Sequence, residues 1–222
     1  MSPTSTWFRD RGLLIANLAL FLIFLVGMVL TGSRVYSDDQ VEHGHPATTL
    51  GQYLTSGDVV EATFENWESE FLQMGMYVVL TAYLFQRGSS ESKPVGEEAP
   101  QDADPREAKT SNAPWPVRRG GFVLVLYEHS LALLFFVLFA LSTWLHAAGG
   151  AVVYSEDQID HGAAPVSTME YLGTSQFWFE SFQNWQSEFL AVGVIVWASV
   201  YLRYRGSAES KPVAAPHRET GA

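Results

Sequence analysis

No cysteine occurs among the 222 residues. That excludes disulfides, thiolate nucleophiles and cysteine-ligated zinc or iron–sulfur centres. Positive charge is scarce too: 13 Lys and Arg stand against 24 Asp and Glu, giving a formal charge of −11. A nucleic-acid binder normally carries a basic patch, so no nucleic-acid partner is expected. Common catalytic signatures are missing as well. There is no glycine-rich phosphate loop, no G-x-S-x-G and no H-E-x-x-H, so no motif argues for an enzyme. A b-type haem would want axial histidines on facing helices, and the apolar segments offer no such pair. No cofactor is expected.

Apolar residues make up 47% of the chain, yet the mean hydropathy is only +0.05. They are concentrated in runs. Leu13 to Thr31 holds 19 residues without a charge, and Leu131 to Leu145 is a second dense run. Such lengths suit a bilayer better than the core of a small soluble domain. Arg9 and Arg11 precede the first run, as in a secretory signal. The run is long for one, however, and the same element recurs in mid-chain, so a retained span is expected.

The chain repeats itself. A shift of 118 places Val35–Val95 over Val153–Val213 without a gap, with 28 identities in 61 positions. VYSDDQVEHG matches VYSEDQIDHG, NWESEFLQMG matches NWQSEFLAVG, and RGSSESKPV matches RGSAESKPV. Each half reads as apolar helix, polar loop, apolar helix. The expected helices are about 13–31, 64–86, 122–148 and 177–204. The expected domains are a first two-helix repeat (1–87), a flexible acidic linker rich in Pro and Ser (88–120), a second two-helix repeat (121–205) and a disordered tail (206–222).

Placing both termini and the linker in the cytoplasm puts twelve Lys and Arg inside, Lys109 among them, and Arg34 alone outside. Two helices per half bring both halves into the membrane in the same direction. The expected fold is therefore an all-α membrane protein of four transmembrane helices. They form two tandem parallel two-helix repeats about a pseudo-twofold along the membrane normal, N-in and C-in. The two outer loops are acidic.

The repeated stretch at Asn66 and Asn184 begins where the last helix of each half enters the membrane. A span needs about 20 residues. Counting back that far from the inner basic residues places Asn66, Trp67, Glu70 and Asn184, Trp185, Glu188 in the outer part of the span. Asn and Glu at i and i+4 share a helix face, and Trp suits the aromatic belt. Each half thus carries a shallow intramembrane Asn/Glu pair, either a cation or proton site or a structural group in the headgroup layer. Ser69, Gly75, Ser187, Ala191 and Gly193 are read as helix-packing residues.

The outer loops repeat a second cluster: Tyr36, Asp39, Gln40 and His43 against Tyr154, Asp157, Gln158 and His161. Asp and His four apart are weak metal ligands (His43, His161, Asp39, Asp157), matching no strong motif. A cap that hydrogen-bonds its own backbone is the plainer reading. Glu128, His129 and His146 have no repeated partner of their own type and are read as interfacial.

The pattern Y-x-x-[DE]-Q-x-x-H-G, then Y-L, then F-Q-N-W-Q-S-E-F-L, then R-G-S-x-E-S-K-P-V resembles an uncharacterised family of bacterial integral membrane proteins, a domain of unknown function. The first half departs from it with Glu65 and Glu68 where the pattern has Gln. The resemblance implies an inner-membrane location and no activity. The expected function is that of a structural or accessory protein that binds partners, itself or a larger complex within the lipid bilayer; the alternative is a small cation or proton transporter, channel or ion-coupled sensor using the paired Glu70 and Glu188. A membrane enzyme working through the outer loops is weaker, because no nucleophile–base pair can be named.

Overall fold

The computed structural model describes residues 3–107 and 110–221. Lys109 lies outside them. Among the described residues the fold is all-helical, without a strand. The helices are α1 (Pro3–Glu42), α2 (Leu50–Tyr53), α3 (Gly57–Tyr83), α4 (Trp115–Arg119), α5 (Gly121–Glu128), α6 (Ser130–Asp160), α7 (Thr168–Tyr171) and α8 (Ser175–Tyr201), with a 3-10 turn at Pro100–Asp102. Two of them, Trp7–Glu42 within α1 and Ser130–Asp160, are long and apolar enough to cross a membrane. α3 and α8, expected as spans, interrupt their apolar residues with acids: Glu61, Glu65, Glu68 and Glu70 in α3, Glu180 and Glu188 in α8.

The helix ends differ from expectation. α1 runs past Thr31 to Glu42, because backbone hydrogen bonding inside a helix needs no apolar side chains. The expected helix 122–148 is two helices. His129 leaves helical geometry at φ −107°, ψ 3°. The Tyr127 carbonyl at the break accepts from His129 N and from Ser130 Oγ, the latter at 2.8 Å.

The described chain falls into two compact units. One comprises Met1–Thr63 with Ala147–Tyr171, the other Phe64–His146 with Leu172–Ala222. Each draws on both halves of the sequence, so spatial division does not follow the repeat.

In the first unit the two loops are built alike. α1 and α6 each end on a glycine with left-handed backbone, Gly44 (φ 82°) and Gly162 (φ 78°). His45 N donates to the Gln40 carbonyl at 2.8 Å, and Ala163 N to the Gln158 carbonyl at 2.7 Å. This six-to-one closure satisfies carbonyls that a helix end orphans. Behind each loop a buried tyrosine sits over a glycine. A Cβ on Gly32 would lie 2.2 Å from the Tyr53 hydroxyl, and one on Gly150 would lie 2.5 Å from the Tyr171 ring. Gly57 and Gly149 let α3 and α6 touch backbone to backbone: a Cβ on Gly149 would lie 2.6 Å from Glu61 N.

The short helices α2 and α7 are capped differently. Thr49 and Gln52 form a neutral capping box, with Thr49 N donating to Gln52 Oε1 at 2.8 Å. At α7 the acceptor is a carboxylate: Ser167 N and Oγ both donate to Glu170 Oε2 at 2.7 Å. These bonds, the backbone one first, hold the Glu170 carboxyl below its ordinary range. A depressed folded-state pKa contributes stability that is present above the unfolded value and lost as pH falls through the folded one. Amides of α7, corrected for intrinsic exchange, are therefore expected to lose protection as pH drops through the acid carboxylate range, while α2 holds. Equal protection of both helices through that range would refute the assignment.

In the second unit α3, α6 and α8 pack together. Phe71 meets Phe135 with ring centroids 6.5 Å apart, and Phe139 meets Trp185 at 5.9 Å. Gly75 admits the Phe135 and Phe136 side chains, whereas a Cβ on Gly193 would meet nothing within 4 Å. The linker and tail, expected from composition to be flexible, take defined turns. Gln86 N donates to Ser92 Oγ at 3.0 Å and Tyr204 N to Ser210 Oγ at 2.9 Å, the same bond at matching repeat positions. Lys211 is buried, donating to the carbonyls of Pro216, His217 and Glu219.

Candidate functional site

α3 and α8 each place polar residues at helical spacing on one face within the second unit. On α3 these are Glu65 and Glu68, at i and i+3. On α8 they are Glu180 and Asn184, at i and i+4, with Ser181 and Trp185 alongside. α6 supplies His146. Its side chain and that of Glu68 are both 0% exposed.

His146 lies between two carboxylates. Its Nε2 is 3.3 Å from Glu180 Oε2 in hydrogen-bonding geometry. Its Nδ1 is 3.3 Å from Glu68 Oε2. That second approach is not a hydrogen bond, and both atoms are buried without a hydrogen-bond partner. The surrounding groups are engaged. Glu68 Oε1 accepts from Ser181 Oγ at 2.9 Å and from Trp185 Nε1 at 3.3 Å. Glu180 Oε1 accepts from Gln176 Nε2 at 2.6 Å, and Glu65 Oε1 accepts from Asn184 Nδ2 at 2.6 Å. The Phe177 ring covers the imidazole, with centroids 4.9 Å apart.

Glu180 selects the tautomer. A neutral ring that donates Nε2–H to this carboxylate carries a lone pair at Nδ1, whereas a protonated ring presents N–H to both carboxylates. In the neutral state that lone pair and the Glu68 carboxylate confront each other out of contact with water. Two unsatisfied acceptors at this distance repel unless a positive charge lies between them. The chemistry the arrangement supports is cation binding.

Of the sequence-predicted residues, Asn184 and Trp185 join this cluster. Glu70 and Asn66 are exposed, and Glu188 is half-buried with its backbone carbonyl accepting from Gln73 Nε2 at 2.8 Å. Trp67 stacks edge-on with Phe64 and Phe71. At the ends of α1 and α6, His43 Nδ1 and His161 Nδ1 donate to the carbonyls of Asp39 and Asp157, at 3.0 and 2.8 Å. One ring nitrogen of each is thus engaged by its own helix end. Tyr36 and Tyr154 pack on Tyr53 and Tyr171, at 5.8 and 5.6 Å between centroids.

His146, Glu65, Glu68 and Glu180 were missed. His146, read as interfacial, is wholly buried. All four break the repeat: their counterparts at a shift of 118 are Met28, Gln183, Gln186 and Ala62. An acid or base introduced in one half only, within helices otherwise shared, is the signal that would have found them.

A family model, described as a domain of unknown function (DUF6766), matches residues 4–222. No curated protein and no solved structure matches the chain.

Proposed function

The chain belongs to the DUF6766 family, and we propose that it is a multi-pass protein of the bacterial inner membrane that handles a cation at the Glu68–His146–Glu180 cluster, as a small transporter, channel or ion-coupled sensor. In this reading α1, α3, α6 and α8 are the four spans, arranged as two parallel two-helix repeats. The termini and linker are cytoplasmic and the acidic loops lie outside. The charge asymmetry of Lys and Arg supports that orientation. The sheltered acids of α3 and α8, Glu65, Glu68 and Glu180, are compatible with a span because intramembrane ionisable groups face protein and pair with one another.

The observation that carries the proposal is a fully buried histidine flanked by a carboxylate at each ring nitrogen. Buried ionisable clusters within helical spans mark ion pathways and coupling sites. The acidic outer loops would raise the local concentration of cations. Proteoliposomes holding an indicator for divalent cations, or one for protons, test it. Wild-type vesicles are expected to fill faster than empty ones, a differential that removal of a buried charge should erase. Glu68→Gln should return the rate to background. Wild-type vesicles as tight as empty ones to both ions would overturn the proposal.

A second reading, an accessory protein that binds partners or copies of itself, is favoured by one observation. The apolar window of α1 has no residue buried inside the chain. That face is left for lipid or for another helix.

A further inference from the structure

We infer that Glu68 Oε2 and His146 Nδ1 are protein ligands of a divalent transition-metal ion of the zinc, cobalt or manganese class. The inference rests on the cation-handling reading of this cluster and names the ion.

Three observations on the same residues support it. The first is distance. Two ligand atoms each about 2.1 Å from one metal ion, at a near-tetrahedral angle, lie about 3.4 Å apart; Nδ1 and Oε2 are 3.3 Å apart. The second is direction. A ligand pair around a shared ion lies off each other's lone-pair axes, whereas a hydrogen bond needs alignment. The Nδ1–Oε2 approach has the hydrogen-bond distance without the hydrogen-bond geometry, and neither atom has a hydrogen-bond partner. The third is the supporting layer. Metal-bound histidines donate their other ring N–H to a carboxylate, and metal-bound carboxylates are themselves hydrogen-bonded. Glu180 accepts from Nε2, and Ser181 and Trp185 hold Glu68 Oε1.

Ligand chemistry narrows the ion. An imidazole nitrogen with a carboxylate oxygen suits zinc, cobalt and manganese, whereas magnesium and calcium take oxygen. Alkali cations gain little from imidazole. Glu65, Glu68 and Glu180 bring three carboxylates to the neighbourhood of one ring, an excess of negative charge that a dication offsets.

The test uses the full chain, purified in detergent, stripped with a chelator and titrated with Co²⁺, read by its visible ligand-field bands, and with Zn²⁺ by calorimetry. Saturable binding of a single ion per chain is expected. Glu68→Gln and His146→Gln should each weaken it roughly 100-fold or more, and Glu180→Gln roughly 10- to 100-fold. Glu68→Gln retains an oxygen for Ser181 and Trp185, so the fold should survive; His146→Gln is the second variant should it not. The double variant His43→Gln, His161→Gln, in the outer loops, should bind like wild type. No saturable binding, or binding unchanged by Glu68→Gln and His146→Gln, would overturn the inference. Proton flux in vesicles without metal binding would spare the cation-handling reading and end this one. Metal binding without flux would do the reverse for transport.

Discussion

Gly149→Ala is expected to destabilise the protein by about 3 kcal/mol, the upper end of what an added methyl costs in a filled site. The new Cβ would lie 2.6 Å from Glu61 N and 2.9 Å from the Gly57 carbonyl oxygen. Both neighbours are backbone, so no rotamer change relieves the clash, and α3 and α6 must separate. Gly57→Ala should act in the same direction, because its Cβ would meet the Gly149 carbonyl oxygen and Val152 at 2.8 Å. Gly193→Ala is the control. It makes the same chemical change in a helix interior with nothing within 4 Å, and should stabilise by up to about 1 kcal/mol through helix propensity alone. Thermal unfolding in a mild detergent reads all three. Gly149→Ala melting with wild type would mean that the two backbones do not touch.

At a pH where His146 is neutral, Glu68→Gln should raise the stability of metal-free protein by about 1–3 kcal/mol, the cost of a buried polar group left unpaired. The amide would donate N–H toward the His146 lone pair, while its oxygen still accepts from Ser181 and Trp185. Glu68→Ala should do the opposite by a similar or larger amount, since both of those donors then lose their acceptor. Saturating metal should reverse the order of wild type and Glu68→Gln, because an ion at 100 times its Kd adds about 2.7 kcal/mol to the species that binds it. Melting curves with and without Zn²⁺ give the comparison. A Glu68→Gln variant less stable than wild type after chelation would show that the two acceptors are not in conflict.

Much of the helical content was legible. The apolar runs mark the centres of α1 and α6, where composition and length leave few alternatives. Helix ends were not read from hydropathy, which reports the solvent around a helix and not its hydrogen bonding. The true stop signal was present in the sequence as His-Gly at 43–44 and 161–162, a left-handed terminus. The motif around it turns out to be largely the anatomy of that terminus. Asp39 and Asp157 offer carbonyls to a histidine ring, and Gln40 and Gln158 offer carbonyls that close the turn.

The buried cluster was harder to read because repetition drew attention to Glu70 and Glu188. Glu68 lies two residues from Glu70, about 200° around a helix and so on the opposite side. One is exposed and the other sealed. No composition or periodicity distinguishes two glutamates so close in sequence; the neighbours on α6 and α8 do. The substitution of Glu for Gln at 65 and 68 was visible. Its meaning depended on His146, which no local pattern connects to α3.

The one-sided origin of the cluster bears on ancestry. Carried through the repeat, a symmetric pair of first halves would set Glu68 against methionine, the residue at position 28. A symmetric pair of second halves would set His146 against glutamine, the residue at 186. Neither homodimer of hairpins would possess the acid–base pair, although both would keep the capped loops and the tyrosine-on-glycine contacts. Fusing two copies into one polypeptide lets each diverge without imposing the change on its twin. The unequal halves of one polypeptide thus bring together an acid–base pair that neither half, paired with itself, would hold.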